Sequence, residues 1–239
     1  MPQSTDSSNP TFFATTRWTL VNDAARGNDT GAMEAMGTLF GTYWQPLYRY
    51  VRRIGRSAED AEDLVQGFFA HLLQQNGLRL VNRDRGHFRA FLLGSLKHYM
   101  ANEWQSEHRL KRGGYIPHLS MDWQEAENGL RLELEDSQSP DKLYDRDWAT
   151  TLLNKVLDDL ASQEKDFTRW KPFLSMSSAH LSYQEIATEF GMTEGAARVA
   201  VHRLRKRYRQ RLRDEIAHTI SDETGIEDEM KSLFAALLE

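Results

Sequence analysis

The chain has 239 residues, 40% of them hydrophobic and 27% charged, the balance of an ordinary globular protein rather than of a disordered or collagenous one. It has no cysteine, which excludes disulfide frameworks, cysteine-ligated zinc or iron–sulfur sites and thiol catalysis. No apolar run approaches the roughly 20 residues a membrane span needs, and Met1–Thr16 lacks a basic start followed by an apolar stretch. The expectation is a cytoplasmic protein without a membrane span.

The net charge of −5 hides a segregated distribution. Asp122–Asp147 carries nine acids and three bases, and Asp214–Glu239 carries eight acids and one base, which leaves the remainder of the chain at +8. Binding depends on the local field, so an acidic total does not argue against an anionic partner.

Residues 1–15, opening MPQSTDSSNP, read as a disordered leader. Helical periodicity then dominates, with no sustained alternation of the strand type, and the fold class expected is all-α. A first helical block spans 16–112. Within it, SAEDAEDLVQGFFAHLLQ from Ser57 places Ala61, Leu64, Val65, Phe68, Phe69, Leu72 and Leu73 at i, i+3, i+4, i+7 spacing. Ser57 and Asp60 form a capping box, and Glu59, Asp60, Glu62 and Asp63 oppose the positive end of the helix dipole. That suffices structurally; the functional alternative is a docking surface in which Asp63 and Gln66 meet a basic partner.

A polar loop at Asn82–Gly86 precedes a long helix expected from about His87 to Arg112. It mixes Phe88, Phe91, Tyr99 and Trp104 with Arg89, Lys97, His98, Asn102, Arg109, Lys111 and Arg112. Aromatics interleaved with bases suit single-stranded nucleic acid, whose bases stack on rings while cations track the backbone. Core packing is the competing use for Phe88, Phe91 and Tyr99, and Trp104 is the best candidate for exposure. His87, His98 and His108 lie about three turns apart, too far to share a metal. No metalloprotease, phosphate-loop or nucleophile-elbow motif occurs, so neither catalysis, metal nor cofactor is expected.

Gly113–Gly114 breaks the block, and residues 113–140 read as an acidic linker with one short helical turn. A second helical block covers 141–213. In LSYQEIATEFGMTEGAARVAVHRLRKRYRQRL, Ser182 and Glu185 form a capping box, and Ile186, Ala187 and Phe190 give the first helix its apolar face. Gly191 allows a sharp exit, and Thr193 caps a second helix with inward Ala197, Ala200, Val201 and Leu204. These are the parts of a helix-turn-helix. Glu194, Arg198, His202, Arg205 and Arg209 lie on its outer side, and Arg198–Arg213 holds seven arginines, Lys206 and no acid. A charge run alone reads as a solvated helix; joined to the capped turn, it reads as a DNA-binding element. Residues 214–239 form an acidic extension whose Ile226, Met230, Leu233, Phe234, Leu237 and Leu238 predict an amphipathic helix.

Taken together, these segments resemble an RNA polymerase sigma factor of the compact extracytoplasmic-function (ECF) type. AEDAEDLVQGFFAHLL is similar to its region 2.2, NRDRGHFRAFLLGSLKHYMANEWQSEHRLKRGG to regions 2.3 and 2.4, and the helix-turn-helix to region 4.2. The resemblance covers most of 40–112 and 145–213. It implies two helical domains, a region 2-like bundle and a region 4-like helix-turn-helix, joined by the acidic linker, with no enzymatic activity of their own.

By that resemblance Asp60, Asp63 and Gln66 dock on the β′ clamp of core polymerase. Asn82, Arg83, Arg85, His87, Arg89, Lys97, Asn102 and Trp104 serve the −10 element, where a base is taken from the stack. Thr193, Glu194, Arg198, His202, Arg203 and Arg205 serve the −35 element, with region 4 also on the β flap. The family's acidic linker occupies the RNA exit path, and Asp122–Asp147 has the charge for it. Residues 74–87 fit the family's loop pattern loosely, and the tail after Ser221 exceeds its minimal design. That tail is expected either to complete the region 4 core or to fold on the chain or a partner and modulate DNA binding. Partners implied are core polymerase, promoter DNA and an anti-sigma factor or other regulator. A different class fits the second block alone: a stand-alone helix-turn-helix regulator that never joins core polymerase.

Overall fold

The computed structural model describes residues 30–74, 87–106, 121–131, 138–174, 182–217 and 225–238. Among them there is no strand, and the fold is all-α. In chain order the helices are α1 (Thr30–Arg53), α2 (Ala58–Gln74), α3 (Phe88–Ser106), α4 (Trp123–Arg131), α5 (Pro140–Gln163), α6 (Phe167–Trp170), α7 (Tyr183–Glu189), α8 (Glu194–Ala217) and α9 (Ile226–Leu238). A short 3-10 turn, Lys171–Leu174, follows α6.

The first three helices bury their apolar stripes against one another. Ala61, Val65, Phe68, Phe69 and Leu72 of α2 are buried, with Leu64 and Leu73 packed at the margin. They meet Phe40, Tyr43, Leu47 and Val51 of α1 and Phe88, Leu92 and Leu96 of α3. Phe40 stacks on Phe69 at a centroid distance of 4.1 Å, and Tyr43 meets Phe88 edge-on at 5.3 Å. At Gly67 a side chain of α3 comes close to the α2 backbone, since a Cβ there would lie 2.5 Å from the Tyr99 hydroxyl. Tyr99 packs on Phe68; Phe88 is buried in the core, and Phe91 and Tyr99 pack partly buried against it.

The acidic segment holds more structure than one turn. Asp122 caps α4 through its Oδ1, which accepts from the Glu125 amide at 2.9 Å. Trp123 lies edge-on against Trp44 at 4.8 Å. Glu127 accepts two hydrogen bonds from Arg52, at 2.7 and 2.9 Å, and one from the Tyr48 hydroxyl at 2.9 Å. This bidentate pairing fixes α4 on α1, and burial beside Glu127 pushes the Tyr48 phenol up to about 12.

Ser139 caps α5, with Pro140 at its first position, where the missing N–H costs nothing. The helix buries Tyr144, Trp148, Ala149, Leu152, Val156 and Leu160. It packs on α1, α8 and α9, and one core joins residues from α1 through to α9. A second, smaller core holds Phe173, Ile186, Ala187, Ala197 and Val201 beneath the α7–α8 pair. Met230 and Leu233 of α9 are buried, whereas Phe234 and Leu238 are exposed. The extension therefore folds back on the chain.

Candidate nucleic-acid interface

Three surfaces carry the residues singled out by sequence. The first is the start of α2. The Ser57 hydroxyl accepts from the Asp60 amide at 3.0 Å, so the capping box forms as expected. Asp60 and Asp63 are exposed and Gln66 half-buried. Burial, followed by the neighbouring Asp63 and Glu59 carboxylates, holds the Glu62 carboxyl above the usual Glu range. A dense negative field at one helix end is what a basic partner surface needs.

The second surface is α3. Asn82, Arg83 and Arg85 lie outside the described residues, as does the side chain of Trp104. Asn102 is exposed, and Lys97 is partly exposed but paired with Asp141 of α5 at 2.7 Å. Arg89 is not a surface residue: it is 7% exposed. Its Nε donates to Asp145 of α5 at 2.9 Å, Nη1 donates to Glu229 of α9, and Nη2 donates to the Ser232 hydroxyl at 2.8 Å. The guanidinium also lies over the Trp148 ring, 4.4 Å from its centroid. Nδ1 of His87 is 2.9 Å from the second oxygen of Glu229. Helical position alone puts Arg89 among bases available to a ligand; the acids that cover it come from segments more than fifty residues away.

The third surface is the helix-turn-helix. Ser182 Oγ accepts from the Glu185 amide at 3.2 Å, and Thr193 Oγ1 from the Ala196 amide at 3.2 Å, which sets both helix starts. Gly191 has φ +61°, the left-handed conformation that a side chain rarely adopts, and Met192 N donates back to the Ala187 carbonyl at 2.9 Å. Ala197, Val201 and Leu204 are buried as their spacing predicts, whereas Ala200 is only partly buried. Outward, Arg198 bonds Glu194 twice, at 2.6 and 3.0 Å, and lies over the Tyr183 ring at 4.7 Å.

The basic run of α8 divides into two sets. Arg205 Nε donates to the Phe173 carbonyl at 2.9 Å, Arg207 pairs with Glu164 at 2.8 Å, Arg211 bonds Gln163 at 2.6 Å and Arg213 pairs with Glu227. These side chains fasten α8 to its neighbours. His202, Arg203, Lys206 and Arg209 are exposed and carry no ion pair among the described residues. Sequence did not separate the anchoring arginines from the outward ones, because their partners lie on other helices.

Among the described residues no group of His, Asp and Glu could hold a metal ion, and no helix is long and apolar enough to cross a membrane. Residues 39–110 match the family model of sigma-70 region 2. The match covers α2, α3 and most of α1, the bundle that carries the first two surfaces. The matched stretch is therefore similar to region 2 of the sigma-70 sigma factors, and it spans less than a third of the chain. No curated protein and no solved structure matches the chain.

Proposed function

We propose that this chain is a sigma factor of the compact ECF type, which binds core RNA polymerase and directs promoter recognition and transcription initiation. In this reading Asp60, Asp63 and Gln66 engage the β′ clamp. The α3 face and the loop before it, with Asn82, Arg83, Arg85, His87, Arg89, Lys97, Asn102 and Trp104, engage the −10 element as single strand. The start of α8, with Thr193, Glu194, Arg198, His202, Arg203 and Arg205, enters the −35 major groove, where such a helix reaches base edges. The second block also meets the β flap, and the acidic segment around α4 lies toward the RNA exit path. The protein acts in the cytoplasm, without catalysis of its own, and is open to control by an anti-sigma factor or other regulator.

The observation that carries this reading is one chain holding both a sigma-70 region 2 match and a capped, glycine-turned helix pair with an exposed basic face. A stand-alone repressor needs the second but not the first. Co-purification with core polymerase is the test. A stoichiometric complex, and a shift of promoter DNA that requires core enzyme, support the sigma reading; DNA binding that is indifferent to core enzyme supports the stand-alone regulator.

A further inference from the structure

Arg89 sits in the α3 set assigned above to DNA, yet its guanidinium is saturated by the protein itself. Asp145, Glu229 and Ser232 take its three nitrogens, and Trp148 covers its face. Glu229 is 1% exposed and also contacts His87, a second member of the same set. One oxygen from each of two carboxylates, and a hydroxyl, occupy the donors a phosphate would take. Resting on the reading that α3 contacts the −10 strand, we propose that α9 is a built-in latch. Glu229 and Ser232 hold Arg89 and His87 away from nucleic acid, and this part of α3 becomes competent for DNA when α9 detaches.

Three observations favour α9 as the moving part. Asp145 and Trp148 belong to α5, which shares the continuous core with α1 through buried Tyr144, Trp148 and Ala149, so α5 stays in place. Helix α9 has 13 residues and reaches the same core with buried Met230 and Leu233 and partly buried Ile226, Ala236 and Leu237, but an isolated helix of this length is marginal, so it holds its shape only while docked. The α9 contacts to Arg89 and His87 are polar, through Glu229 and Ser232. A buried Arg–Glu pair is also poor at raising net stability, because desolvation offsets much of the attraction, and it serves better to specify one state. Burial works against the charge on Arg89, but Glu229 and Asp145 outweigh it and raise its pKa above the usual value. The guanidinium therefore stays charged in the closed state and is ready for an anion on release.

Glu229→Gln in the full chain keeps the shape of the side chain and removes its charge. Asp228→Asn makes the same change in net charge on the same helix, at an exposed residue paired with Lys231. Binding is read by fluorescence anisotropy with a labelled, A+T-rich single-stranded DNA, and latch release by hydrogen–deuterium exchange over residues 226–238. E229Q is expected to exchange faster in α9 and bind the DNA about tenfold tighter, the worth of one charge-assisted hydrogen bond. D228N should match wild type. Ser232→Ala should move both readouts in the same direction by less, and it carries the test if E229Q loses its helical circular dichroism. Equal binding by wild type and the latch variant, or an equal gain in D228N, overturns the latch and leaves the DNA reading standing. If no form binds the DNA, the DNA reading of α3 fails and the latch with it.

Discussion

Asp147 of α5 accepts a hydrogen bond from Arg49 of α1 at 3.1 Å, with its own side chain only 4% exposed. Arg53, one turn further along α1, takes the other oxygen. One buried carboxylate thus bridges two partly buried guanidinium groups and ties the second helical block to the first. Removing one partner of a buried network leaves charge without compensation, a loss of about 3–5 kcal/mol. Asp147→Ala is expected to lower stability by that amount in urea denaturation. Asp141→Ala, whose Lys97 partner is partly exposed, should cost no more than about 1 kcal/mol.

On α8, Arg203 and Arg205 separate binding from anchoring. Arg203→Ala is expected to weaken duplex promoter binding, with the slope of log K against log salt falling by about 0.9 if one phosphate contact is lost. Its melting temperature should stay at the wild-type value. Arg205→Ala removes the donor to the Phe173 carbonyl and should cost about 1 kcal/mol of stability besides any effect on DNA. Salt titrations by anisotropy alongside thermal melts distinguish the two.

The acidic start of α2 has a pH signature. The Glu62 carboxyl stands above its ordinary range in the folded chain, through burial and then repulsion from Asp63 and Glu59. Folding therefore favours its protonated form. Its contribution is fully present at acid pH and is lost as pH rises through the raised folded value. Glu62→Gln should melt above wild type at neutral pH, with the difference closing as pH falls below the carboxylate range.

Docking is tested on the same helix by Asp63→Arg. Asp63 is exposed, so the change should leave folding intact. Association with core polymerase, read by gel filtration or interferometry, should fall by tenfold or more for a charge reversal facing a basic surface, about 1.4 kcal/mol or above. Duplex DNA binding by the full chain should be unchanged.

The helices themselves were legible because their signals are local. Ser57, Ser182 and Thr193 cap where they stand, and the i, i+3, i+4 stripe of α2 is buried as spaced. Long-range pairing was not legible. The charge segregation, −6 over Asp122–Asp147 and −7 over Asp214–Glu239, reads from sequence as an acidic linker and a tail that completes the region 4 core or folds on the chain or a partner, with no pairing of particular acids. In the structure Glu127, Asp141, Asp145, Asp147 and Glu229 meet bases of α1 and α3. No periodicity reports an ion pair between residues 140 positions apart, such as Arg89 and Glu229. Helix α4 reads from sequence as a single turn because its nine residues are mostly polar; packing of Trp123 and Ala126 on the core and the pairing of Glu127 with Arg52 hold it. Pro46 marks the reverse case: α1 continues through it, since Tyr43, Trp44, Leu47 and Tyr48 on either side are all buried.

The central claim is that this chain gives core RNA polymerase its choice of start site. Core enzyme freed of other sigma factors, incubated with the folded protein and genomic template, should yield transcripts with discrete 5′ ends preceded by shared −10 and −35 sequences. Arg203→Ala should reduce them, and Asp63→Arg should abolish them. Transcripts whose ends and yield are the same with and without the folded protein would contradict the account.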